Sequence, residues 1–157
     1  MDPIILLNST ATILGIIDKV ADQIERFRKK EPEPPVAKPH SVLAEKRGDA
    51  IEFIRGGVVL ETITVNDFTS LNPQSQQLIK AYEQSMQMQY DLWTQIYPQR
   101  DVSPDPLVNA KVNAQLKNIA QTMCSELNMI LDYLNYMGKN LEDHYSHVRF
   151  ICRENRH

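Results

Sequence analysis

Residues Val112, Leu116, Ile119, Met123, Leu127, Ile130, Leu134 and Met137 recur at steps of four and three. An α-helix carries such residues on one side, so the segment is a packing seam that other elements must cover. Consecutive four-residue steps at Met123 and Leu127 depart from a strict heptad. They indicate a bundle seam with a stutter in place of a long two-stranded coiled coil. Beyond Met123 the apolar face widens to take in Cys124, Met129, Leu131, Tyr133 and Tyr136. A face that wide is expected to be covered from two directions.

A second amphipathic helix is expected over residues 1–30, with Asp2 as N-cap and Pro3 in the first helical position. Its apolar line runs Leu6 or Leu7, Ile13, Ile17, Val20, Ile24, Phe27, opposite a polar line of Asn8, Thr12, Lys19, Asp22 or Gln23, Arg26 and Lys30. Residues 31–40 hold four prolines, which remove backbone donors and bias their neighbours to extended geometry, so they read as a semi-rigid linker. The β-branched runs Ala50 to Arg55 and Val58 to Val65 flank Gly56-Gly57, and glycines there permit the positive φ of a hairpin turn. A two-residue loop would oppose Glu52 to Glu61, so a three-residue turn with a bulge competes with it. A lone hairpin is marginal in water and must pack on the helices or pair with another strand.

Asn72-Pro73 restates the cap-and-proline signal and opens a helix over 73–97, ended by Pro98. Its inward face is Ile79, Tyr82, Met86, Tyr90, Trp93 and Ile96 or Tyr97, and its other face is rich in glutamine, including Gln74, Gln77, Gln84, Gln87 and Gln95. The last long helix is placed at 104–137, ended by Gly138 as a C′ residue, with Asn140 capping a short helix over 140–154. The apolar line resumes there as Leu141, Tyr145, Val148, Cys152, so one unbroken helix through Gly138 is the alternative. The fold class expected is mainly α: one domain over residues 1–157, a helical bundle of three long helices plus a short C-terminal helix, with a β-hairpin insertion over 50–65.

Charge narrows the partners. A net charge of −3 and a pI near 5.8 lack the basic footprint of a nucleic-acid binder, and the one basic cluster, Arg26 to Lys30, runs straight into Glu31 and Glu33. Nucleic acid is therefore not an expected partner. Cys124 and Cys152, in a sequence without a recognisable secretory leader, read as reduced thiols of a cytoplasmic protein, Cys124 in the core. The charge-free run from Pro3 to Ile17 would span roughly 22 Å as a helix, short of a hydrocarbon core of ~30 Å.

No phosphate-binding glycine loop, paired-cysteine zinc spacing or nucleophile elbow occurs, so no cofactor and no enzymatic activity are expected. His144 and His147 lie three apart on a helix and, with Cys152, are the residues that would hold a metal. A lone His-x-x-His lacks the second ligand pair, so solvated or core-edge histidines are expected instead. The aromatic line Tyr82, Tyr90, Trp93, Tyr97 and the methionines read as helix seam and core filling.

The function expected is a non-enzymatic protein–protein interaction or oligomerisation module, most simply a homo-oligomer. Met86, Tyr90 and Trp93, or Met123, Leu127 and Ile130, supply its apolar centre, and Phe150 a small contact patch. The alternative is peripheral membrane contact by the first helix, inserting Ile4, Ile5, Leu6, Leu7, Ile13 and Ile17 with help from Arg26, Arg28, Lys29 and Lys30. In architecture alone, an apolar first helix ahead of a bundle resembles the four-helix domains of some cell-death and immune effectors, whose leading helix acts on membranes. That resemblance implies the membrane alternative.

Overall fold

The computed structural model describes residues 2–29, 42–139 and 141–154, side chains at 142–144 and 153–154 excepted. Over these residues the chain forms four helices and a three-stranded antiparallel sheet, a mainly α fold. The proline linker, Lys30 and the proposed Asn140 cap lie outside the described residues.

Helix α1 spans Pro3–Lys29. The Asp2 carboxylate accepts from the Ile4 amide at 3.0 Å, as the cap-and-proline signal requires. Helix α2, Pro73–Ile96, starts with Asn72 accepting from Ser75 N at 2.8 Å and runs on into a 3-10 turn at Tyr97–Gln99. Helix α3, Pro106–Tyr136, starts with Asp105 accepting from Leu107 N at 2.9 Å, two residues later than the sequence suggests. It stops at Gly138. There φ is +86°, and the Gly138 and Lys139 amides fold back onto the carbonyls of Asn135 and Leu134. That pair of bonds is a Schellman cap, so the chain breaks before α4, Glu142–Glu154.

Strands β1 (Leu43–Arg47), β2 (Ala50–Arg55) and β3 (Val58–Thr64) pair in that order. The hairpin tip is a two-residue turn in which Gly56 and Gly57 both take positive φ, with Arg55 opposite Val58. A bulge between Phe53 and Ile54 then shifts the register, so Glu52 faces Thr62 and the expected clash with Glu61 does not arise. β1 was not expected. It has no β-branched residue, its side chains are mostly exposed, and it is held by pairing to β2 and by Ala44 N donating to Asp18 on α1 at 3.0 Å.

α1 is the hub. It packs against α2, α3, α4, β1, β2 and the 3-10 turn Val65–Ser70, and Leu6, Leu7, Ile13, Leu14, Ile16, Ile17, Val20, Ala21 and Ile24 are buried on it. Around it close the α3 seam from Val112 to Leu134, the α2 line Ile79, Met86, Trp93, the sheet face Ile51, Phe53, Ile63, and Leu141, Tyr145, Val148 and Ile151. The α3 face is narrower than its composition implies: Cys124 and Leu131 are buried, whereas Met129 and Tyr136 are exposed.

Several polar groups inside this core have partners. Gln23 Oε1 accepts from Trp93 Nε1 at 2.8 Å, so this end of the polar line faces α2, whereas Lys19 on the same line is exposed. Arg26, expected on that line as a surface residue, is buried and paired with Asp22 at 2.9 Å. Glu83 accepts from Ser9 Oγ at 3.0 Å and pairs with Lys80 at 2.7 Å. Cys124 and Cys152 are joined in a disulfide with Cα atoms 5.1 Å apart, which ties α4 to α3. The expectation of reduced thiols is thereby corrected: the two sulfurs lie on facing helices that sequence spacing alone does not bring together.

Candidate functional site

The outer side of α2 offers the clearest surface. Leu78, Ala81, Ser85, Met88 and Leu92 recur at steps of three and four, the same period as the inward line but turned about a third of the way round the helix from it. Leu78, Met88 and Leu92 are 36%, 60% and 38% exposed. Gln74, Gln77, Gln84 and Gln95 are exposed beside them. The helix's three charges lie elsewhere: Glu83 is buried, Lys80 is held against it, and Asp91 is exposed on the flank toward α1. In a chain of 24% charged residues, this face carries none.

Along its α3 flank the face meets a polar seam. Ser85 Oγ donates a short hydrogen bond to Glu126 Oε1, while Glu126 Oε2 is buried without a hydrogen-bond partner among the described residues. Burial raises the Glu126 carboxyl above its ordinary range against the effect of that bond. Burial, with Tyr133 and Glu126 alongside, raises the Tyr82 phenol as well. Met129 and Tyr136 extend the apolar surface on α3.

The residues expected to centre an interface are otherwise placed. Met86, Trp93, Met123, Leu127 and Ile130 are buried within the single chain, and Tyr90 is half-buried. They hold the core because core and interface helices share one periodicity. Trp93 stacks on Tyr97 at 5.0 Å and meets Phe27 edge-on at 5.9 Å, so the aromatic line is packing and not a cage. Phe150 is exposed.

The membrane residues are likewise mostly internal. Leu6, Leu7, Ile13 and Ile17 are buried, Ile4 is half-buried and Ile5 exposed. By length and composition α1 is apolar enough to cross a bilayer, but 56% of its most apolar window is covered by the rest of the fold. Lys29 pairs with Glu25 at 2.9 Å.

Among the described residues the tail brings no metal-binding set together. His147 Nε2 lies 3.0 Å from Glu25 Oε2 at the surface, Cys152 is consumed by the disulfide, and the His144 side chain lies outside the described residues. Among the described residues no three His, Cys, Asp or Glu side chains converge. Burial pulls the Glu25 carboxyl upward, yet hydrogen bonds from Lys29 and His147 outweigh it and hold the group below its usual value.

Sequence reading overlooked Asp18. This carboxylate sits where α1, β1 and α4 meet, accepting from Ala44 N at 3.0 Å and from the Tyr145 hydroxyl at 3.4 Å. Burial pushes its pKa up to about 7, and burial beside that carboxylate raises the Tyr145 phenol well above its ordinary value. An acid flanked by Ile16, Ile17 and Val20 is the one local sign of it in the sequence.

No family model matches the chain, and searches of curated proteins and of solved structures return no match.

Proposed function

We propose that the chain is a non-enzymatic protein–protein interaction module that self-associates through the outer face of α2. The observation that carries this reading is the exposed line Leu78, Ala81, Met88, Leu92, uninterrupted by charge. Burying such a line removes apolar surface from water at about 25 cal/mol per Å². A second copy suits it because two identical neutral faces meet without like-charge repulsion and with matching amide flanks. Met88 adds a side chain that adapts to a partner's relief.

Light scattering across a concentration series is the test. The wild-type chain is expected to be a dimer at micromolar concentration, and Met88→Lys with Leu92→Lys, both on exposed positions, a folded monomer. A wild-type monomer throughout the series overturns the reading. The bonded pair Cys124–Cys152 favours an oxidising compartment over the expected cytoplasm, since glutathione keeps most cytosolic thiols reduced.

A further inference from the structure

α4 is held on two sides, and the two sides differ in chemistry. On the α3 side nothing titrates near neutrality. The Cys124–Cys152 disulfide fixes its last turns, Arg149 pairs with Asp132 at 3.2 Å, and the chain enters it from α3 through Gly138 and Lys139, with Lys139 pinned to Glu61 and Asp67 at 3.7 and 3.4 Å. On the α1 side α4 reaches two acids, Asp18 and Glu25, which lie two turns apart on one face of that helix. The Tyr145 hydroxyl donates to Asp18 at 3.4 Å, and His147 Nε2 lies 3.0 Å from Glu25 Oε2.

Both α1 contacts depend on a proton. Asp18 has two donors, Ala44 N from β1 and the Tyr145 hydroxyl from α4, and no charged side chain pairs with it among the described residues. The charges around it are engaged elsewhere: Lys19 lies over Tyr90, Asp22 pairs with Arg26, Glu45 pairs with Arg47, and Lys46 lines the cleft toward α2. A carboxyl taken from water on those terms holds its proton, and burial pushes the Asp18 pKa up to about 7. His147 attracts Glu25 as a charge only while protonated, a state that histidines leave between about pH 5 and 8. Lys29, the other cation on Glu25, belongs to α1 itself and ties nothing across. Rising pH therefore leaves a buried charge at Asp18 and removes the charge from His147, while the α3 bonds are unchanged. Tyr145 is 2% exposed and meets Phe53 of the sheet edge-on at 6.0 Å, so its departure brings water to Asp18 and Phe53 together. Once hydrated, Asp18 returns toward its ordinary 3.8. Between that value and about 7 each pH unit favours the open arrangement about tenfold.

We propose that α4 is a pH-operated latch, closed on α1 in mild acid and rolling away from α1 about its α3 anchors above neutrality. Its opening uncovers the α1 face around Asp18 without releasing the helix from the fold.

Hydrogen exchange of the full chain at pH 5 and pH 8, corrected for intrinsic rates, tests this. The α4 amides are expected to lose protection by about tenfold or more between the two values. At pH 8 they are expected to be less protected than the α2 amides and to exchange at a rate that low urea does not raise, which marks a local opening instead of global unfolding. Asp18→Asn cannot ionise, and its α4 amides are expected to keep at pH 8 most of the protection that wild type loses. The wild-type comparison decides by itself where that variant fails to fold. The proposal is overturned by equal α4 protection at the two pH values, by α4 amides that exchange only together with α2, or by a folded Asp18→Asn that loses protection as wild type does.

Discussion

The Tyr145 hydroxyl donates to Asp18 across 3.4 Å, joining the last helix to the first at a carboxyl whose pKa burial has pushed up to about 7. In the unfolded chain that carboxyl returns to its ordinary 3.8. Between those two values the native state keeps a proton that the unfolded state has lost, so the group's contribution to stability falls as pH rises through the window and is fully lost above about pH 7. Asp18→Asn keeps an acceptor and cannot ionise. It is expected to raise stability at pH 8 by a few kcal/mol, since each tenfold difference in proton affinity between the folded and unfolded chain corresponds to about 1.4 kcal/mol, and to change little near pH 4. Urea denaturation at both values measures this, and parallel pH profiles for variant and wild type would reject it.

The disulfide makes a second prediction. Cys124 and Cys152 are 28 residues apart, and removing a cross-link over a loop of this kind typically costs about 2–4 kcal/mol. Cys152→Ser, or the wild-type chain in excess reductant, is expected to denature at correspondingly lower urea. Equal midpoints with and without reductant would show that α4 is held by its apolar face alone.

The α3 seam can be probed directly. Leu127 and Leu134 are buried in the core that α1, α2 and α4 share with α3, so truncating either to alanine is expected to cost about 2–5 kcal/mol. A loss near zero in chemical denaturation would place that seam outside the isolated chain's core.

At the hub the decisive change is Ile17→Asp. Ile17 is 1% exposed, and a carboxylate there would be buried without a partner. The variant is expected to lose its cooperative thermal transition in plain buffer. Wild-type stability combined with lost vesicle binding would instead restore the membrane role for α1.

What was legible in the sequence followed local chemistry. Asp2-Pro3, Asn72-Pro73 and Gly138 mark helix ends because capping needs only neighbours in the chain. The hairpin tip at Gly56-Gly57 is of the same kind. What escaped depends on distance: Tyr145 lies 127 residues from Asp18, Glu83 is 74 from Ser9, and Glu126 is 41 from Ser85. β1 escaped because its stability resides in β2 and Asp18 and not in Leu43–Arg47 itself. In that pairing Glu45 opposes Glu52, and the clash is relieved by Arg47 reaching both, at 3.1 and 3.3 Å. The candidate interface was displaced for a different reason. Periodicity reports that a face is apolar, not whether the chain itself covers it, so Met86 and Trp93 went inward while Met88 and Leu92 stayed out.

The central position of α1 also orders events during synthesis. Its partners on α2, α3 and α4 leave the ribosome after it, and at about 5–20 residues per second the helix waits roughly six to twenty-five seconds before the last of them emerges. Throughout that interval its Ile and Leu face is uncovered. The apolarity that closes the finished core is therefore, until translation ends, a surface prone to aggregation.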